Sequence, residues 1–175
     1  KYMALRELTQ KYSKKKLAPI PAPIPVITFP ATKTQKYASI WDNLPAAKPI
    51  VQPLPMEMMN QYEGMILYRT KLIGHKSGTL RVDEVHDYAT VFLNERYIGS
   101  IDRTLGQHSI DLPVSNVENP VLDILVESMG RINFAAQMID RKGITDRVTL
   151  NGMTLMNWDA FNIPMQYLYS SKRLV

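Results

Sequence analysis

Cysteine is absent from the 175 residues. Its absence excludes disulfide frameworks, thiolate metal sites and a cysteine nucleophile, and it leaves the compartment open. No apolar run approaches the about 20 residues that a membrane helix needs. Histidine occurs three times. No His pair has metal-ligand spacing, and His75 and His108 stand alone. His86 precedes Asp87 in "EVHDYA", but neighbours on a strand point to opposite faces, so the two are not expected to act together. There is no Gly-rich phosphate loop and no G-x-S-x-G elbow. No metal and no organic cofactor is expected.

What is present fits one globular chain with a real core. Apolar residues make up 45% and charged residues 21%, ordinary values for a folded domain of this length. The net charge is +5. Lys11, Lys14, Lys15 and Lys16 account for most of it, since 5 − 4 leaves +1. That cluster has no interleaved aromatics, so it reads as the solvated end of a helix rather than a nucleic-acid site. Neither a nucleic-acid nor a membrane partner is expected.

The chain divides by composition. "YMALRELTQKY", Tyr2 to Tyr12, carries Leu5, Leu8 and Tyr12 at helical spacing. Helices shorter than about 12–15 residues are marginal alone, so this one needs a partner surface. "LAPIPAPIPVITFPA" then places Pro19, Pro21, Pro23, Pro25 and Pro30 in quick succession. Such density blocks helix and sheet and gives an extended, semi-rigid spacer. The boundaries expected are a helix over residues 1–16, a Pro-rich linker over 17–36 and a β-domain over 37–175. Beyond the linker, strands are expected at 63–73, 79–83, 89–93, 96–101, 109–112, 121–127, 133–139 and 147–150, with an apolar tail around Met153–Trp158. Short strands separated by turn residues point to an all-β antiparallel sandwich or jelly roll. "LNER", Leu93 to Arg96, is the tightest hairpin signal, because Asn94 tolerates a left-handed turn. Met56, Met58 and Met59 are expected to fill gaps in packing.

"LDILVESMGRINFA", Leu122 to Ala135, poses the main functional question. Leu122, Ile124 and Val126 share one face of a strand, and Asp123, Leu125 and Glu127 share the other. Glu127 then stands at the strand end, before a turn with Gly130, Arg131 and Asn133. Glycosidase chemistry needs two carboxylates about 5–9.5 Å apart, and Asp123 alone does not supply a convincing second. The reading favoured is structural: Glu127, Gly130, Arg131 and Asn133 support a turn, and no residue is assigned a catalytic role.

Five stretches resemble a known family: "YMALREL", "YEGMILYRTKL", "VHDYATVFLNERYIGSIDR", "LDILVESMGRINFAAQMIDRKGI" and "VTLNGMTLMNWDAFNIPM". In this order they resemble the beta-galactosidases of glycoside hydrolase family 35. The resemblance implies the end of a catalytic (β/α)8 barrel, an extended linker and the first of two galactose-binding-like jelly-roll sandwiches. The partners it implies are that barrel and a second sandwich of the same parent chain. Neither glutamate motif of the family's catalytic centre matches here, so the chain alone is not expected to be an enzyme. The parent is expected to hydrolyse terminal β-galactosides with retention, in an extracytoplasmic setting. The function expected of this segment is docking on the barrel and supporting it, with Trp41, Trp158 and the Leu5–Tyr12 helix contributing contacts. The alternative is a carbohydrate-binding module for galactoside sugars. Where the wider group places Asn-Gly in the hairpin, this chain has Asn94-Glu95, so a different turn type is open.

Overall fold

The computed structural model describes residues 1–35 and 38–169. The expected boundary at residues 36 and 37 and the end of the expected β-domain at 170–175 lie outside the described residues. The chain divides into two compact units, Lys1–Gln35 and Lys36–Val175.

In the first unit, helix α1 spans Tyr2–Tyr12 and buries none of its residues. Its end is closed by the Ser13 N–H donating to Thr9 O at 2.9 Å. Beyond it, Gln10 and Arg6 fold the following chain back: the Leu17 N–H donates to Gln10 Oε1 at 2.9 Å, and Arg6 donates to Ala18 O. The Pro-rich segment ends at Pro30, and the chain continues to residue 35 without regular structure, as expected where backbone donors are few.

The second unit is built of antiparallel strands: β1 Lys48–Ile50, β2 Met65–Lys71, β3 Gly78–Val82, β4 Val85–His86, β5 Tyr88–Leu93, β6 Arg96–Asp102, β7 Ser109–Leu112, β8 Val121–Glu127, β9 Gly143–Ile144, β10 Val148–Leu150, β11 Met153–Thr154 and β12 Trp158–Ile163, followed by helix α2 Met165–Tyr169. One sheet has six strands in the order β1-β12-β2-β8-β5-β6, and the other has four in the order β11-β10-β3-β7. The short pair β4-β9 stands apart. This is an all-β sandwich.

Alternation decides which side chains meet between the sheets. Ile66 and Tyr68 of β2, Ala89, Val91 and Leu93 of β5, Leu122, Ile124 and Val126 of β8, and Trp158 and Ala160 of β12 face Leu80, Val82, Val148 and Leu150 of the other sheet. Each such aliphatic contributes about 1.5–3 kcal/mol by leaving water. Trp158, expected as a contact aromatic, is buried here, and its indole N–H donates to Leu155 O at 2.9 Å. Met56 and Met59 are buried in the same core, while Met58 is exposed.

The other face of the six-stranded sheet is not bare. Leu67, Phe161 and Ile163 form a second cluster under Ile40, Trp41 and Leu44. Trp41 meets Phe92 edge-on with centroids 5.1 Å apart. Between the rings of Trp41 and Phe161 lies the Arg69 guanidinium, bound to the fully buried Asp123 at 2.7 Å. Burial pushes the Asp123 carboxyl up, and the Arg69 pairing only partly offsets that.

The 133–139 strand does not form. Those residues are an exposed loop between β8 and β9. Their apolar residues are spaced like a strand, but no neighbouring strand offers them a ladder, and the turn beginning at Ser128 carries the chain away from the sheet.

Candidate functional site

Where the 128–142 loop returns to the sandwich, its stem is fixed by backbone bonds. Met56 N–H donates to Lys142 O at 2.8 Å, and Ile144 N–H donates to the Tyr68 hydroxyl at 3.2 Å. The same hydroxyl donates to Leu54 O at 2.6 Å. Burial raises the Tyr68 phenol well above its ordinary range. Gly143 passes this hydroxyl with φ +92°, and a Cβ there would lie 2.5 Å from it. Only glycine satisfies both constraints.

Beside the stem, four charges close into a ring. Lys142 Nζ lies 2.6 Å from Asp87 Oδ2 and 2.8 Å from Asp140 Oδ2, and Arg103 lies 2.8 Å from Asp87 Oδ1 and 2.9 Å from Asp140 Oδ1. The Lys142 side chain is 2% exposed. A buried ammonium costs several kcal/mol unless matched, and two carboxylates match it here. Burial alone would raise the Asp140 carboxyl, but the hydrogen bonds and charges of Lys142 and Arg103 outweigh it and hold the group below its ordinary value. The hydrogen bond to Asp87 chiefly raises the Arg103 guanidinium.

His86 joins this ring. Its Nδ1 donates to Arg141 O at 2.7 Å and lies 3.1 Å from Asp140 Oδ1, while Nε2 faces Glu84 at 3.2 Å. The two neighbours take different partners, His86 turning to Glu84, Arg141 and Asp140, and Asp87 to Lys142 and Arg103. Strand β4 ends at His86 and Asp87 lies in a bend, so strand alternation does not govern the pair.

The turn residues read from sequence lie in the loop itself. Arg131 donates to Tyr62 O at 2.9 Å and pairs with Glu57 at 2.6 Å. Glu57 also accepts the Lys142 N–H, at 3.1 Å from each oxygen. The carboxylate that meets Arg131 is therefore Glu57, not Glu127. Glu127 contributes its backbone carbonyl, which accepts the Asp87 N–H at 3.1 Å, and its side chain is exposed. A Cβ on Gly130 would meet nothing within 4 Å, so that turn does not require glycine. Asn133 is exposed in the loop. A cavity of about 580 Å³ opens beneath the turn, lined by Tyr62, Glu127, Met129, Arg131 and Met165.

Sequence reasoning missed Glu57, Arg103, Asp140 and Lys142. Residues 140–142 are a run of three charges, which is the one signal that could have drawn attention. Its partners 37 or more positions away carry none.

The arrangement is a fastener: opposite charges matched in pairs, holding the base of an exposed loop. Among the described residues no group of three His, Asp or Glu side chains is placed to hold a metal. No described helix is long and apolar enough to cross a membrane.

Comparison with known proteins matches residues 53–164 to the family model of the beta-galactosidase first all-beta domain. The chain is 39% identical over 167 residues to a beta-galactosidase of Xanthomonas manihotis, covering 95% of this chain and 28% of that protein. It is 33% identical over 175 residues to a beta-galactosidase of Bos taurus, covering 95% and 26%. It is 33% identical over 174 residues to beta-galactosidase 8 of Oryza sativa, covering 90% and 26%. The chain spans about a quarter of the length of these relatives.

Proposed function

Since the chain belongs to the beta-galactosidase first all-beta domain family, we propose that it is a non-catalytic module that docks on and supports the catalytic barrel of a parent beta-galactosidase. One observation carries this reading. The 128–142 loop holds Met129, Phe134 and Ile139 at 67%, 86% and 95% exposure, while its base is fixed by the charge ring and Gly143. Soluble monomers rarely spend a rigid anchor on a wholly exposed apolar segment, so such a patch marks an interface. The occupant is the catalytic part of the same parent chain, because the relatives extend this chain about fourfold.

In this reading the barrel supplies the two carboxylates of retaining hydrolysis, one as nucleophile and one as acid then base. This segment supplies neither and acts through binding, and a second sandwich of the same parent is a further neighbour. The parent works on terminal β-galactosides in an extracytoplasmic setting.

The test is reconstitution. This chain and the remainder of the parent are made as two polypeptides and mixed. A one-to-one complex with a raised midpoint of thermal inactivation is expected, as for any partner that binds only the folded state. Phe134→Ser with Ile139→Ser should weaken it. Full activity and heat stability of the catalytic part alone, with no complex, would overturn the reading.

A further inference from the structure

Strand β8 carries a carboxylate on the outer face of the six-stranded sheet, under the turn that brings the chain into the sandwich. Asp123 stands opposite Arg69 of β2 and opposite Phe92 of β5. It is fully buried. Both its oxygens accept from Arg69, Oδ1 from Nε at 2.7 Å and Oδ2 from Nη2 at 3.3 Å. A two-pronged bond of this kind fixes the guanidinium plane as well as its charge.

The covering turn rests on that guanidinium. The Arg69 Cζ lies 5.7 Å from the centre of the Trp41 ring and 5.5 Å from that of Phe161. A cation over a ring face is attracted by its electron density. Trp41 also meets Phe92 edge-on at 5.1 Å. The turn, residues 39–44, is closed on itself: the Asn43 N–H donates to Ile40 O at 3.1 Å, and Asn43 Nδ2 donates to Ser39 O at 2.7 Å. It is a preformed strap that grips the sheet through Ile40, Trp41 and Leu44 and through Arg69.

The carboxylate beneath the strap is thinly matched. A buried charge is costly unless its partner is well placed, and the partner here is one guanidinium, itself 27% exposed. Burial raises the Asp123 carboxyl, the hydrogen bonds and charge of Arg69 lower it in part, and the Glu95 charge raises it further. Asp159 of β12 stands directly across from Arg69. Arg69, Lys71 and Asp159 together line a cavity of about 260 Å³, which gives the guanidinium room to turn. Asp42 is exposed on the strap itself.

We infer that Asp123 is a proton-sensitive pin for the strap. Ionised, it holds Arg69 between Trp41 and Phe161, and the strap stays closed. When a proton from solvent neutralises it, Arg69 keeps its charge and turns to Asp159, and residues 39–44 loosen from the sheet ahead of β1. Since the carboxyl is raised, release comes at a higher pH than the value of about 4 at which exposed carboxylates titrate. The inference does not rest on the docking reading, which concerns the 128–142 loop.

The experiment is a pH titration of the isotope-labelled full chain by NMR, from about pH 7.5 to about pH 4.5. It reads the Asp123 side-chain carbon, the two tryptophan indole N–H groups and amide exchange. The Asp123 carbon and the Trp41 indole should move with one shared midpoint, and protection of the 40–44 amides should fall about tenfold on the acid side. The Trp158 indole, bonded to Leu155 O inside the core, should stay where it is. Asp123→Asn cannot ionise, so it should show the acid-side Trp41 signal and low strap protection at every pH. Asp42→Asn should leave the titration in place. Distinct midpoints for Asp123 and Trp41 would overturn the inference, and that comparison needs no variant. A Trp41 titration that survives Asp123→Asn or disappears with Asp42→Asn would overturn it too. So would a Trp158 indole that moves together with Trp41, since the core rather than the strap would then be responding.

Discussion

Glu95 occupies the second position of the β5–β6 turn with φ +63°, after Asn94 at φ +51°. Both values are left-handed, so the two-residue turn takes the geometry that Asn-Gly ordinarily supplies. The departure from Asn-Gly in sequence does not change the turn type. A non-glycine residue in that conformation costs about 1 kcal/mol, and the Glu95 charge also opposes ionisation of the buried Asp123. Glu95→Gly is therefore expected to stabilise the domain by about 1 kcal/mol, raising Tm by about 2–4 °C in calorimetry. An unchanged or lower Tm would contradict this. Gly143→Ala should do the reverse. The added Cβ meets the Tyr68 hydroxyl at 2.5 Å and Met56 N at 3.3 Å, and a loss of about 3 kcal/mol in urea unfolding is expected.

At the scale of elements, the charge ring governs how the 128–142 loop is held. Lys142→Met removes one cation from between two carboxylates and should cost about 3–5 kcal/mol, the range for breaking a buried pair. Adding Asp140→Asn should restore part of it, and a double-mutant cycle by urea unfolding measures the coupling. If the two losses simply add, the ring is not a unit. The ring, through Asp140, and a separate cluster of Asp83 with Arg81 and Arg147 set an acid limit. Asp140 and Asp83 have folded values held below their unfolded ones, Asp83 by its hydrogen bonds from Arg147 and Arg81. Their stabilisation is fully present above the unfolded value of about 4 and is lost as pH falls through the folded one. Asp123 is raised and acts oppositely, its contribution falling as pH rises through the interval between the unfolded and folded values. Asp140→Asn should flatten the loss of stability below about pH 4, and an unchanged slope would count against the ring.

Sequence made the long strands legible and the fastener illegible. β2, β5, β6 and β8 show because six or seven residues of alternation outweigh local noise. β1, β4, β9 and β11 are two or three residues long, and only a partner strand defines them. The 133–139 segment misled for the converse reason, having a strand's composition without a partner. β12 was visible only as an apolar tail, since Trp158, Ala160 and Phe161 divide between the two faces of one sheet. The ring was hidden because Asp87, Arg103 and Lys142 meet only after the sheets are assembled. Glu57 was hidden for the same reason, since it meets Arg131 and the Lys142 N–H only in the folded sandwich.

For the whole molecule, the exposed loop makes the chain on its own a sticky one. The dye anilinonaphthalene sulfonate should bind the isolated chain, and Phe134→Ser with Ile139→Ser should lower that fluorescence without changing the urea midpoint. Unaltered dye binding would place the apolar surface elsewhere. The two tryptophans report on this body from either side of the six-stranded sheet. Trp158 lies inside the sandwich and Trp41 lies in the layer over its outer face. With Trp41→Phe or Trp158→Phe, each single-emitter chain carries its own optical clock. Two clocks running at different rates in stopped-flow denaturation would time the shedding of the outer layer separately from the collapse of the core.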